Sequence, residues 1–331
     1  MAVCRQLAVI ATLVAFGWST GMAATQNPAA QPPQRPTFRA SVDLVTVAAV
    51  ARDRKGRFVR GLTKEDFTVL EAGRQRPIVE FHAEENAPVD VALLFDVSGS
   101  MRVASKIEDA RQAARHLLSA LRLEGDRTDE AAVFSFDIGL QSLQSFTTDP
   151  GAIEQALSRV RPYGQTSIYD AVAETASQVA ESKGGRLAQR RAVVVLTDGV
   201  DTSSLLSPQR VAEIASGIDV PVYVLVVLSP LDHPGEPDGV KTQGNATEDS
   251  GELRQLAHHT GGELFLVSAP AHASIAARQI VDELRHQYVL AFDATPGGGW
   301  KPLDVKVRRR DVTVRARTGY SGGRSSSAPV S

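Results

Sequence analysis

Three short oxygen-rich segments stand out in a chain of 331 residues. Asp96-Val97-Ser98-Gly99-Ser100 places one carboxylate and two hydroxyls at alternating positions, so three oxygens face one side of a loop. Gly164-Gln165-Thr166-Ser167 and Thr197-Asp198-Gly199 add further hydroxyls and a second carboxylate. Hard oxygen donors of this kind suit Mg2+, Mn2+ or Ca2+ rather than zinc. A helix starting just after the first segment would add amide donors at its N-terminus. Singly, Ser-Gly-Ser reads as a helix cap with a tight turn, and Asp198-Gly199 as a turn. Three such segments in register read as a site.

The elements that must position them are legible from hydropathy. Val91 to Phe95 is a continuous apolar run that leads straight into Asp96, as in a strand buried on both faces. Ile107, Ala110, Ala114, Leu117 and Leu121 then recur at helical spacing. Ala131–Phe136 reads as a strand and Leu140–Phe146 as a more exposed one. Helical stretches over 153–160 and 168–179 follow. Ala192–Leu196 and Val222–Val227 are further buried strands, separated by a helix that opens with Ser207 and Pro208. This alternation predicts an α/β fold: a doubly wound, mostly parallel sheet with helices on both faces. The three oxygen-rich segments then fall at the C-terminal ends of strands or before a helix, where open α/β sheets bind ligands.

Short β segments flank this region. Residues 39–86 form a small β-rich module, with Gly73 marking a turn between Phe67–Leu70 and Ile78–Phe81. The α/β domain is placed at 87–292, with a Pro- and Gly-rich surface loop at 229–249 and C-terminal strands at 293–320. Val305–Val307 and Val312–Val314 read as a hairpin whose turn carries Arg308, Arg309 and Arg310. Residues 321–331 read as a disordered tail.

The start of the chain reads as an address. Arg5, the apolar run Leu7–Trp18, and Gly21 and Ala23 at the −3 and −1 positions describe a signal peptide over 1–23. Residues 24–38, rich in Pro and Gln, form a linker. The apolar run is short for a spanning helix. The expected product is therefore exported, periplasmic or secreted, and without stable membrane insertion. Cys4 precedes the apolar run, so it does not sit where a lipoprotein cysteine would.

Composition excludes several classes. Hydrophobic residues at 43% and charged residues at 22% describe an ordinary globular chain. With 36 basic and 38 acidic side chains there is no basic excess for a nucleic-acid surface. One cysteine cannot make a disulfide framework or a zinc site. Gly319-Tyr320-Ser321-Gly322-Gly323 spells G-x-S-x-G, but a nucleophile elbow needs a helix after it. His258 and His259 are adjacent and point apart on a helix, so they do not share a metal. Asn245-Ala246-Thr247 is a glycosylation sequon, meaningful only in a eukaryotic secretory cell.

Asp-x-Ser-x-Ser after the first buried strand, the Thr of Gly-x-Thr, and Thr-Asp-Gly after a central strand resemble the von Willebrand factor type A (VWA) domain. That family carries a metal-ion-dependent adhesion site (MIDAS) at these positions. The resemblance implies Asp96, Ser98, Ser100, Thr166 and Asp198 as ligands of a divalent cation, Mg2+ first, with Mn2+ or Ca2+ as alternatives. Asp201 reads first as an exposed loop acid, with assistance from behind the ligands as the second reading. The flanking Val59-Arg60-Gly61-Leu62-Thr63-Lys64-Glu65-Asp66-Phe67 and the C-terminal Arg317-Thr318-Gly319-Tyr320 are similar to exported bacterial proteins of the acidobacterial VWFA-related type.

The implied function is binding, not catalysis: a cation with an open coordination position that receives an Asp or Glu of a protein partner. A metal-dependent hydrolase is the alternative. It would need a His, a Lys or another carboxylate beside the metal, and the three segments offer only Asp201. A scaffold whose metal is purely structural is the third reading.

Overall fold

The computed structural model describes residues 44–85, 87–124, 128–181, 190–217, 219–229 and 247–322, with backbone only for 247–250. The expected signal peptide, the linker, most of the 229–249 loop with Asn245 and Ala246, and the tail beyond 322 lie outside the described residues.

A six-stranded sheet forms the centre of the α/β region. Its strands are β5 (Val89–Asp96), β6 (Glu130–Phe136), β7 (Leu140–Thr147), β8 (Arg190–Thr197), β9 (Val222–Val227) and β10 (Leu264–Val267). Their order is β10-β9-β8-β5-β6-β7, all parallel except the antiparallel β7 at one edge. Every residue of β5 is buried, as its unbroken apolar run requires. The strand's period of two divides that run between two cores. Val91, Leu93 and Phe95 meet α1 (Lys106–Ala120), α2 (Pro150–Arg159) and α6 (Pro270–Arg285). Ala92 and Leu94 meet α3 (Ile168–Glu181), α4 (Pro208–Gly217) and α5 (Thr247–Thr260). Ser207 caps α4, its Oγ accepting from the Arg210 amide at 3.3 Å.

The helix that follows β5 packs on one face and the helix that follows β8 on the other. The connections therefore diverge between these two neighbouring strands, leaving a crevice at their C-terminal ends. Asp96 ends β5 and Asp198 follows β8 immediately.

The flanking segments form two further sheets. β1 (Leu44–Asp53) and β4 (Ile78–His82) join β11 (Tyr288–Asp293) and β13 (Val312–Ala316) in the order β13-β1-β11-β4. β2 (Phe67–Glu71) and β3 (Arg74–Arg76) join β12 (Gly299–Val307) and β14 (Gly319–Gly322) in the order β14-β12-β2-β3. The two sheets enclose a third core that includes Val47, Phe67, Val69, Leu290, Phe292 and Leu303. The chain thus begins a β-sandwich, inserts the α/β region after β4, and returns to complete the sandwich.

Three sequence expectations change here. Residues 288–292 read as part of the α/β domain, but β11 hydrogen-bonds between β1 and β4. The apolar run of a sandwich-core strand is indistinguishable by hydropathy from that of a parallel strand. Gly73 does mark a turn, but with Ala72 (φ 47° and 78° for Ala72 and Gly73) it joins β2 to β3, and β4 lies in the other sheet. Arg308–Arg310 do not cap a hairpin: β12 pairs with β2 and β14 while β13 pairs with β1, so this turn crosses between sheets.

Candidate metal centre

Asp96 is fully buried at the tip of β5. Its Oδ1 accepts from the Ser98 amide at 2.8 Å and its Oδ2 from the Thr197 hydroxyl at 2.6 Å. Thr197 Oγ accepts in turn from the Gly199 amide at 3.0 Å. One carboxylate therefore ties the loop after β5 to the loop after β8. Burial pushes the Asp96 carboxyl up to about 6; its hydrogen bonds from Thr197 and Ser98 oppose this, and the nearby Asp198 charge adds to it.

Ser98 and Ser100 place their hydroxyl oxygens 3.0 Å apart, as the i, i+2 spacing predicts. The loop of Thr166 is held against them. The Gly99 amide donates to Gly164 O at 3.0 Å, and Arg102 Nε donates to Pro162 O at 3.1 Å. Gly164 sits at φ +107°, and a side chain there would meet Asp137 at 3.0 Å, so the turn both needs and uses glycine.

From the other side, residues 199–206 stitch to the same loop. Thr202 Oγ accepts from the Thr166 amide at 3.1 Å, and the amides of Thr202 and Ser203 both donate to Thr166 O at 2.9 Å. Asp201 is half-buried; its Oδ1 accepts from the Ile168 amide and from Ser204 Oγ, each at 2.7 Å. It anchors the first turn of α3, two residues from Thr166.

Asp198 has a side chain only 3% exposed. Its Oδ2 accepts from Lys106 Nζ at 3.1 Å, whereas its Oδ1 is buried with no hydrogen-bond partner. Lys106 is the residue that sequence reasoning missed. It lies on the helix after the first segment, outside the three segments searched. A lysine in the first turn of a helix, against the dipole and ahead of Glu108 and Asp109, was the available signal.

The donor set fits a hard divalent cation. It offers hydroxyl and carboxylate oxygens, and an orphaned buried carboxylate oxygen is otherwise costly. Among the described residues no group of three or more His, Cys, Asp or Glu side chains could hold a metal, so hydroxyls must complete the set. His259 Nδ1 instead pairs with Thr318 Oγ1 at 2.7 Å. Ser321 lies on β14 opposite Trp300, with no strand-to-helix elbow among the described residues.

Comparison with known proteins bears on this geometry. Residues 91–200, which include all five oxygen-bearing positions, match the family model of the von Willebrand factor type A domain. This segment is a VWA domain. Comparison with curated proteins finds no match. The solved structures it resembles include a conserved hypothetical protein, BatB, from Bacteroides thetaiotaomicron. That chain is 21% identical, with 59% of this chain and 98% of that one covered and a TM-score of 0.43. A von Willebrand factor type A protein from Catenulispora acidiphila is 13% identical over 86% of this chain and 74% of its own, with a TM-score of 0.45. Proximal thread matrix protein 1 from the mussel byssus, with zinc in its MIDAS motif, is 16% identical over 65% and 49%, with a TM-score of 0.46. In this chain the VWA domain carries its candidate metal centre in the crevice between β5 and β8.

Proposed function

We propose that the VWA domain binds a divalent cation through Asp96, Ser98, Ser100, Thr166 and Asp198 and uses it to capture an acidic side chain of a protein partner. The observation that carries this reading is the buried, unpartnered Asp198 Oδ1 in the crevice organised by Asp96, Thr197 and the serine hydroxyls. Such an oxygen is stabilised by a cation far more than by empty space. Mg2+ is the first choice because few protein carboxylates and retained waters suit it; Mn2+ and Ca2+ are the alternatives.

The surroundings favour a protein ligand. Among the described residues, five of the ten exposed large apolar side chains lie on the loops at this edge: Val103, Ile138, Tyr163, Val200 and Leu205. Tyr163 is 74% and Leu205 94% exposed. Apolar contact around a charge-bearing centre suits an acidic residue flanked by apolar neighbours.

The role is non-catalytic in this reading. Lys106 does not supply a general base, because its ammonium is engaged by Asp198. Export through the 1–23 signal segment is part of the proposal, and a mature N-terminus near Ala24 is expected on sequencing. No helix among the described residues is long and apolar enough to cross a membrane.

Calorimetric titration of the full chain with Mg2+ and with Mn2+ tests the metal. Wild type should bind and Asp96→Ala should not; equal affinities would remove Asp96 from the site. Capture of proteins from the medium or periplasm, with and without chelator, tests the partner. Capture that survives chelation would favour a purely structural metal.

A further inference from the structure

Just beyond Ser100 the loop after β5 turns its chemistry outward. Met101 is fully buried in the core beneath, which pins the turn from inside, and the next side chain, Arg102, is exposed. It is exposed but held. Its Nε donates to Pro162 O at 3.1 Å, fixing the guanidinium against the loop that carries Thr166. That contact uses Nε alone, and among the described residues Arg102 has no ion-pair partner. Nη1 and Nη2 remain as a fork whose geometry matches a carboxylate. The other charges on the neighbouring loops are turned to backbone groups. Arg161 Nη1 donates to Val160 O at 3.0 Å at the end of α2, Asp137 Oδ1 accepts from the Gly139 amide at 3.1 Å, and Asp201 Oδ1 accepts from the Ile168 amide.

We propose that Arg102 is a second anchor for the partner of the metal centre: the bound cation takes one carboxylate, and the Arg102 guanidinium takes another from the same acidic segment. The inference rests on the proposed reading that this site takes a divalent cation and an acidic ligand. Asp96, Ser98 and Thr166 are buried whereas Arg102 is exposed, so the guanidinium sits at the rim and not in the crevice. A carboxylate there belongs to a neighbouring residue, roughly one or two positions along an extended chain. Val103 follows Arg102 and Tyr163 follows Pro162, both exposed, and they offer apolar contact to the rest of that segment. Arginine beside tyrosine is the composition that most often carries binding energy at protein interfaces. The partner is thereby narrowed from any surface Asp or Glu to a segment with two acidic side chains close in sequence.

The test uses the full chain, Mn2+ and the straight-chain dicarboxylates from succinate to suberate, each paired with its monomethyl ester. Mn2+ affinity is measured by calorimetry, and carboxylate binding to the Mn2+-loaded protein by the loss of water-proton relaxation as metal-bound water is displaced. In wild type the best dicarboxylate should bind at least about fivefold more tightly than its half-ester, above the roughly twofold that two equivalent carboxylates give by statistics. Arg102→Met should fall to about that statistical ratio, while its Mn2+ affinity stays within about threefold of wild type because Arg102 is not a metal ligand. Three results overturn this inference alone: no preference for any dicarboxylate in wild type, an undiminished preference in Arg102→Met, or a loss of Mn2+ affinity in Arg102→Met beyond about tenfold, which would assign Arg102 to shaping the loop. Wild type that binds Mn2+ but no carboxylate overturns the acidic-ligand reading as well. Failure of wild type to bind Mn2+ overturns the metal reading and this inference with it.

Discussion

Asp96 carries two demands that pull against each other. In the proposed role of ligand it must be ionised, yet burial raises its carboxyl from the ordinary 3.8 to about 6. In chelator the folded state then holds this proton more tightly than the unfolded chain does. Above about pH 6 the buried charge costs stability. As the pH falls from about 6 toward 3.8, the folded protein takes up the proton first, and this group's contribution to stability rises. At about 1.36 kcal/mol per pH unit, the full swing is on the order of 3 kcal/mol. Denaturant melts of chelated protein between pH 7 and pH 4 should show that gain, and Asp96→Asn should lack it; parallel profiles for the two proteins would contradict the assignment. Asp96→Ala should abolish divalent binding while changing stability in chelator by no more than about 1 kcal/mol. The lost hydrogen bonds from Thr197 and Ser98, worth about 1 kcal/mol each, are offset by relief of the buried charge.

The loops behave as a single element although they are far apart in sequence. The 199–206 segment is pinned at three points to the start of α3 and the loop before it. Asp170 accepts from the Leu205 and Leu206 amides, each at 2.8 Å; Thr202 brackets Thr166; and Asp201 takes the Ile168 amide. Asp201 serves α3 as an N-terminal cap supplied from another loop, and it sets where Thr166 sits. Asp201→Ala should cost about 1 kcal/mol of stability, as lost helix caps do. It should also weaken Mn2+ binding by about tenfold, the lower end for residues that orient ligands. A stability loss with unchanged metal affinity, read by calorimetry, would confine Asp201 to capping.

Across the whole molecule, the α/β insertion is fastened to the sandwich by buried charge. Glu283 of α6 accepts from Tyr223 Oη at 3.0 Å and from Arg52 and Arg315 of the sandwich. Arg315 also reaches Glu263, Arg190 Nη2 donates to Gln287 O at 2.9 Å, and Arg317 donates to Ser216 O and Thr46 O. Removing one member of such a cluster strands the others, so Glu283→Ala should cost about 3–5 kcal/mol in urea unfolding. A cost under about 1 kcal/mol would mean that the cluster does not hold the two parts together. Residues 87–286 expressed alone should unfold at lower temperature than the full chain, and equal stability would show that the insertion folds independently of the sandwich.

Local pattern sufficed for the central sheet and its oxygen-bearing loops. Strands buried on both faces must be apolar throughout, and loop oxygens at i, i+2, i+4 need only their own backbone to face one way. Asp96, Ser98 and Ser100 were therefore legible as a group, as were α1 and the Ser207 cap. Pairing partners were not, because hydropathy records that a strand is buried and not what it is buried against. That is why the α/β bound was placed at 292, past β11, why β12–β13 read as a hairpin, and why β3 went unnoticed. Lys106 was hidden for a similar reason. Its partner lies 92 residues away, and the charge that makes burial tolerable appears only when β5 and β8 come together.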